Sequence, residues 1–273
     1  MISNELQNFL VWCENNNLLI NYSKSKVMYL KTPMTAPIFR TNDLSVRGNQ
    51  VEKVQYFRYL GVFFDEYLSF FKHFLHVESK ISTTVAKIHS IKRLVPSSVF
   101  VLLVKSLVIS HIDFCLSTWG CQIEAHLISR LQKRVDKLLL FYFFPAHSRA
   151  KSSSLTTPVS PLFLKHNFFT VPELYTLSLL KFVAKVIYVG SNVVDLNDWF
   201  HVSPRNTRFV PLLVVPSKLS RCSNISPQLR AITTWNNLPR NFCTYLVKDN
   251  LDISTLIIVF SKNHIYMNSS QNY

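Results

Sequence analysis

The chain has 273 residues, 48% of them hydrophobic, with 21 Phe and only 4 Gly. That composition supports a sizeable core in one large domain or two modest ones and excludes wholesale disorder, and so little glycine leaves neither a Walker A loop nor a dinucleotide fingerprint. Thirty Lys and Arg against fifteen Asp and Glu give a formal charge of +15, spread over both halves of the chain; such a surface attracts a polyanion, most often nucleic acid, although a basic protein with no special partner has the same balance.

Residues 3–17 predict a helix, because Leu6, Phe9, Leu10 and Cys13 fall at three- and four-residue steps and Ser3 or Asn4 can cap the start. Asn15-Asn16-Asn17 breaks it. Leu18–Tyr22 and Val27–Leu30 read as short strands around a polar Ser-Lys-Ser-Lys turn, with Pro33 and Pro37 beyond. A second β-like region runs from Ile38 to Asp65: Leu44-Ser45-Val46 alternates, Arg47-Gly48-Asn49-Gln50 supplies a turn, and Val51–Val62 holds one or two more strands.

After Ser69 the period becomes helical. Val77, Ile81, Val85, Ile88 and Ile91 form an apolar stripe, a second helix starts at Pro96-Ser97-Ser98 and runs through His111, and a third spans Glu124 to Phe144 with Leu127, Leu131, Val135 and Leu138 on one face. Residues 145–161, rich in Pro, Ser, Thr and Lys, read as a linker. Leu174–Val189 predicts another helix ending near Gly190, residues 201–243 read as irregular and proline-rich, and the tail from Lys248 carries one more apolar run. The expected fold class is α+β, with regions at 1–70, 71–144, 145–161 and 162–273.

Several constellations carry little chemistry. Cys13, Cys115, Cys121, Cys222 and Cys243 are scattered with no CxxC pair, so free thiols in a reducing compartment are expected and zinc-ribbon spacing is absent. His73 and His76 can share a helix face but have no third ligand nearby. Asp195 and Asp198 read as loop acids, and Asp65-Glu66 as a strand end facing water. Cys115, near His111 and Asp113, sits in an apolar run and reads as a buried structural thiol. The N-terminus shows no signal-peptide pattern. The apolar runs Val99–Ile109 and Leu256–Phe260 are too short to span a bilayer, so no membrane partner is expected. An intracellular site, nuclear or cytoplasmic, is expected, with no compact import cluster to choose between them.

Basic residues on helices are more informative. Arg130, Lys133, Arg134 and Lys137 lie at i, i+3, i+4 and i+7, opposite the Leu127/Leu131/Val135/Leu138 stripe. Lys80 and Lys87 share a side of the preceding helix with His73 and His76. Such faces can follow a phosphate backbone with salt-sensitive affinity; the plain alternative is a solvated polar face.

The order of motifs carries a resemblance. Trp12, Asn16 or Asn17, Leu19, Asn21, Lys24, Ser25, Lys26 and Met28 nearly match the pattern Trp-x-x-x-Asn-x-Leu-x-Ile-Asn-x-x-Lys-Ser/Thr-Lys-x-Met. Tyr59-Leu60-Gly61-Val62 follows, then Leu68-Ser69-Phe70 with His73, Leu107 to His111 with Trp119-Gly120, Ser129 to Arg134, Arg205 to Arg208, Val215-Pro216 and Trp235-Asn236-Asn237-Leu238-Pro239. The series resembles the end of the palm, the thumb and the C-terminal region of a non-LTR (LINE-type, jockey-like) retrotransposon reverse transcriptase.

The resemblance implies a palm remnant with a primer-grip-like hairpin at 1–70, a helical thumb at 71–144, and a mostly helical or irregular C-terminal region at 162–273. It implies that Lys24 lies near the incoming triphosphate, where a cation offsets charge on the leaving phosphate; in this chain a lysine in a polar turn is the ordinary description. Lys26 belongs to the same motif, and Tyr59 and Gly61 to the hairpin pressed against a primer backbone. It implies RNA or an RNA–DNA hybrid as partner; Lys24, Lys26, Tyr59 and Gly61 from its motifs, and Lys80, Lys87, Arg130, Lys133, Arg134 and Lys137 from the helical faces, are the candidate contacts, with the Arg130–Lys137 face favoured and the Lys80/Lys87 face read first as solvated.

Polymerisation in that family needs two metal ions held by paired carboxylates. This sequence contains no Asp-Asp pair, and its first aspartate is Asp43. The chain therefore reads as a truncated fragment that uses no cofactor, magnesium being expected only in the intact parent enzyme. A structural remnant without activity, and the C-terminal half of an active RNA-directed DNA polymerase, stay open beside it. Strand edges left unpaired by missing palm strands would favour self-association.

Overall fold

The computed structural model describes residues 2–31, 45–46, 48–145, 160–189, 199–203, 212–215 and 226–238. The fold is α+β. The chain divides into two compact units, Met1–His73 and Phe74–Tyr273.

The first unit opens with α1 (Ile2–Asn15), which buries Leu10 and Cys13. Its end is a Schellman closure: Leu18 N–H donates to Cys13 O at 2.8 Å and Asn17 N–H to Glu14 O at 3.0 Å, with Asn17 in the left-handed region (φ 53°). Asn tolerates that conformation better than most residues, which accounts for the asparagine at this point of the motif. Asn16 Nδ2 also donates to Trp12 O at 2.8 Å.

Leu18–Tyr22 is not a strand. The Asn21 side chain organises a turn instead, its Oδ1 accepting from Ser23 Oγ (2.7 Å) and Lys24 N–H (3.1 Å) while Ser25 N–H and Oγ reach Asn21 O. Side-chain bonding of this kind competes with a ladder. The second expected strand shrinks to β1 (Lys26–Val27), which pairs in parallel with β4 (Glu52–Lys53). β2 (Ser45–Val46) pairs antiparallel with β3 (Asn49–Gln50). β5 (Tyr56–Tyr59) and β6 (Val62–Asp65) form a hairpin in the register Tyr56↔Asp65, Phe57↔Phe64, Arg58↔Phe63 and Tyr59↔Val62. Ile38 to Leu44 lies outside the described residues.

Asp65 does not simply face water. Its carboxylate accepts from Tyr67 N–H (3.0 Å), Ser69 N–H (3.1 Å), Ser69 Oγ (3.0 Å) and Phe70 N–H (2.9 Å), and so bends the chain from β6 into α2 (Phe71–Ile91). Glu66 is likewise engaged, accepting from Lys31 Nζ at 2.7 Å.

In the second unit α2 buries Val77, Ile81 and Ile88, with Val85 half-buried and Ile91 more exposed. The next helix is segmented into α3 (Ser97–Val104), a π-helical turn (Lys105–Ile109) and α4 (Ser110–Asp113), followed by α5 (Leu116–Trp119). Its core row is Phe100, Val104, Val108, Ile112 and Leu116, all at 0% exposure. Four residues overshoot an α turn by about 40°, so a row at constant steps of four winds off the core side; a wider π turn takes part of that rotation back. Cys115, in the left-handed region at the corner before α5 (φ 52°), is exposed rather than buried.

The helix α6 (Ala125–Phe143) buries Leu127, Leu131, Val135 and Leu138 as the stripe demands. Residues 146–159 of the expected linker lie outside the described part, while Ser160 and Pro161 already belong to α7 (Ser160–His166). α8 (Val171–Ala184) continues into a second π turn (Lys185–Val189) and packs against α4, α5, α6 and the last helix of the described residues, α9 (Pro227–Asn236). Helices on both sides of the 145–161 segment thus share one unit. Gln132 ties two of them: its Oε1 accepts Val171 N–H at 2.7 Å and its Nε2 donates to Asp136 at 2.7 Å. Burial raises the Asp136 carboxyl above its ordinary range, partly offset by that bond.

Part of 201–243 is more regular than its prolines suggest. Val202 bridges Leu213, and α9 carries buried Trp235 into a core with Leu177, Leu180 and Val183. Asn236 mimics a peptide: its Oδ1 accepts Leu213 N–H and its Nδ2 donates to Leu213 O, both at 2.9 Å. Those contacts give Trp235-Asn236 the physical role its sequence withheld. Gly190, Asp195, Asp198, Arg205 to Arg208 and the tail from Lys248 lie outside the described residues.

Candidate nucleic-acid interface

The sequence-predicted residues fall on three kinds of ground. In the first unit Lys24 is exposed on the Asn21 turn, with its own N–H held by Asn21. Lys26, at the start of β1, forms an ion pair with Glu52 directly across the β1–β4 ladder. That pairing is a register device for two very short strands.

Tyr59 and Gly61 bracket the tip of the β5–β6 hairpin. The two-residue turn is Leu60-Gly61, with φ 46° and 90°, the pair of left-handed residues that matches the twist of flanking strands. Gly61 is therefore needed by the turn itself, a reason more local than close approach of a ligand. Tyr59 is 59% and Leu60 77% exposed. Val62 is buried beneath them, and Phe64 meets Phe70 edge-on at 5.4 Å.

In the second unit Lys80 and Lys87 are exposed on α2. His73, placed on their side by the helical period, is buried, and Phe63 N–H donates to its Nδ1 at 3.4 Å. The four cations of α6 separate into two pairs. Arg130 Nη2 donates to both oxygens of Glu78 at 2.8 Å, and Arg134 Nη2 donates to Glu78 Oε1 at 3.0 Å. The Glu78 carboxylate, on the buried side of α2, is taken out of water and needs this neutralisation. Arg130 also lies over the Phe74 ring, 5.7 Å from its centroid. Both arginines thus border the apolar stripe rather than oppose it, while Lys133 and Lys137 are exposed.

Sequence reasoning missed Glu78. A carboxylate between Val77 and Ile81 on an apolar stripe was the available signal, since such a group must find a cation. It also missed a set of cations laid on aromatic rings in the first unit: Lys53 on Tyr29, Lys72 on Tyr56 and Arg58 on Phe63.

Among the described residues no group of three or more His, Cys, Asp or Glu is arranged to hold a metal ion, and no helix is long and apolar enough to cross a membrane. Burial raises the Cys121 thiol above the ordinary value, and partial desolvation of its sulfur does the same for the otherwise exposed Cys115, which keeps both in the protonated, poorly nucleophilic form at neutral pH. No family model, curated protein or solved structure matches the chain.

Proposed function

We propose that this chain holds nucleic acid, in the manner of the end of the palm, the thumb and the C-terminal region of a non-LTR retrotransposon reverse transcriptase. In this reading it binds RNA or an RNA–DNA hybrid weakly, mainly through backbone phosphates, and this stretch supplies positioning rather than metal chemistry. The supporting observation is the β5–β6 hairpin. Its turn is fixed by Leu60-Gly61, one side is anchored by buried Val62 and by the Phe64–Phe70 contact, and Tyr59 and Leu60 at its tip are exposed. A rigid, exposed tip suits a strand-positioning role, because ordering it on binding costs little.

Exposed Lys80, Lys87, Lys133 and Lys137 add point charges suited to phosphate, and the net charge of +15 supplies long-range attraction. The test is a filter-binding titration against an RNA–DNA hybrid at two salt concentrations, run beside primer extension with magnesium. Binding that weakens steeply with salt, without extension, is the expected result. Absent binding at low salt, or affinity indifferent to salt, defeats the proposal and favours a structural product. Extension by the chain alone defeats the claim that it only positions.

A further inference from the structure

One face of the β5–β6 hairpin has a composition that packing does not explain. Alternation along the strands puts Tyr56 and Arg58 on the same side as their partners Asp65 and Phe63. The other side carries Phe57, Tyr59, Val62 and Phe64, and that side is anchored inward through buried Val62 and the Phe64–Phe70 contact. On the first side Tyr56 is 50% exposed and Arg58 is exposed, with Phe63 and Asp65 half-buried beside them.

Cations lie on this side. The Lys72 ammonium sits directly over the Tyr56 ring and 6.0 Å from the Phe63 centroid, and the Arg58 guanidinium lies 5.6 Å from the same Phe63 ring. Among the described residues the one acid on the face is Asp65, whose oxygens are occupied by four donors of the following loop. The face therefore offers positive charge and ring surface together, with the Asp65 carboxylate already engaged.

We propose that Tyr56, Arg58, Phe63 and Lys72 form a stacking platform for an unpaired nucleic-acid strand. An open base takes the place of the Lys72 ammonium on the Tyr56 ring or stacks on the Arg58 plane, and the flexible Lys72 side chain, with Arg58, turns to the adjoining phosphate. A duplex offers no such face along its length, because its bases already stack on one another. The platform deepens the nucleic-acid reading above and rests on it for the ligand class, while its residues are distinct from the α6 lysines.

The test uses the full chain and two fluorescent probes: a single-stranded oligouridylate and a blunt RNA–DNA hybrid of equal length, followed by anisotropy. Tyr56→Ala should weaken the single strand roughly fivefold to a hundredfold and the hybrid less than about twofold. Tyr56→Phe should match the native chain, since stacking does not use the hydroxyl. If Tyr56→Ala disturbs folding, the double variant Arg58→Gln, Lys72→Gln leaves the rings in place and reads the same ratio. Equal loss on both probes, or none on the single strand, overturns the platform and leaves hybrid binding standing. A native chain that binds the single strand but not the hybrid, with loss on Tyr56→Ala, supports the platform and overturns the hybrid-holding role.

Discussion

Arg130 grips Glu78 by both carboxylate oxygens, 2.8 Å each, joining α6 to α2 across 52 positions of sequence. Arg134 adds a third bond at 3.0 Å to the same carboxylate. One buried acid thus occupies two of the four cations on α6 that the helical pattern offers to a ligand.

Replacing Arg130 by Ala leaves Glu78 buried with half its neutralisation gone. The expected loss is about 2 kcal/mol in chemical denaturation, below the range for a fully buried pair because the guanidinium is itself half exposed. Arg134→Ala should cost less. The double variant Glu78→Gln, Arg130→Gln should lose less than the two single changes summed. An unaltered midpoint in Arg130→Ala would show that water satisfies the carboxylate.

Lys133 and Lys137 should behave in the opposite way. Their joint replacement by Ala is expected to leave the folding midpoint within about 0.5 kcal/mol and to lower the slope of log affinity against log salt by about 1 to 2. A reduced midpoint with an unchanged slope would mark them as structural and place phosphate contacts elsewhere.

Gly120 sits where α5 meets α8. A Cβ there would lie 2.7 Å from the Leu116 carbonyl oxygen and 2.8 Å from Tyr175 Cδ2. The backbone oxygen cannot rotate aside as a side chain can. Gly120→Ala should therefore destabilise the second unit by about 1–3 kcal/mol, read as a lower thermal midpoint; full native stability would mean that α8 shifts freely.

His166 gives the fold a defined response to acid. Its ring stacks on Phe143 at 4.6 Å, and its Nε2 is buried with no hydrogen-bond partner among the described residues. Desolvation first, then Lys165 and Lys105, lower its pKa below 6.5. The folded chain consequently binds this proton less readily than the unfolded chain does. Its contribution to stability is constant well above pH 6.5 and falls as the pH drops through 6.5 toward the lowered value. Denaturation midpoints between about pH 8 and pH 5 should fall less steeply in His166→Phe than in the native chain; parallel curves would remove His166 from the acid response.

The helical half was legible because a stripe at three- and four-residue steps depends only on neighbours in sequence. Val77, Ile81 and Ile88, and Leu127, Leu131, Val135 and Leu138, are buried where the pattern puts them. The β part was less so. Leu18–Tyr22 has strand composition, but Asn21 captures the backbone groups a ladder would use. At the candidate site, exposed Lys133 and Lys137 were readable from periodicity, whereas the Glu78–Arg130 pairing joins two helices and has no local signature. Cys115 is exposed because a left-handed corner lifts it out of an otherwise apolar run.

The widened turn at Lys105–Ile109 makes this helix tolerant of losing one residue. Deleting one there closes the wide turn to an ordinary α turn, and the narrower turn offsets the missing residue, so everything downstream keeps nearly its angle about the axis. Ile112 and Leu116 stay on the interior side, with one four-residue step of their row shortened to three. The same deletion inside the regular helix Ala125–Phe143 turns all that follows by about 100° and should be far more harmful.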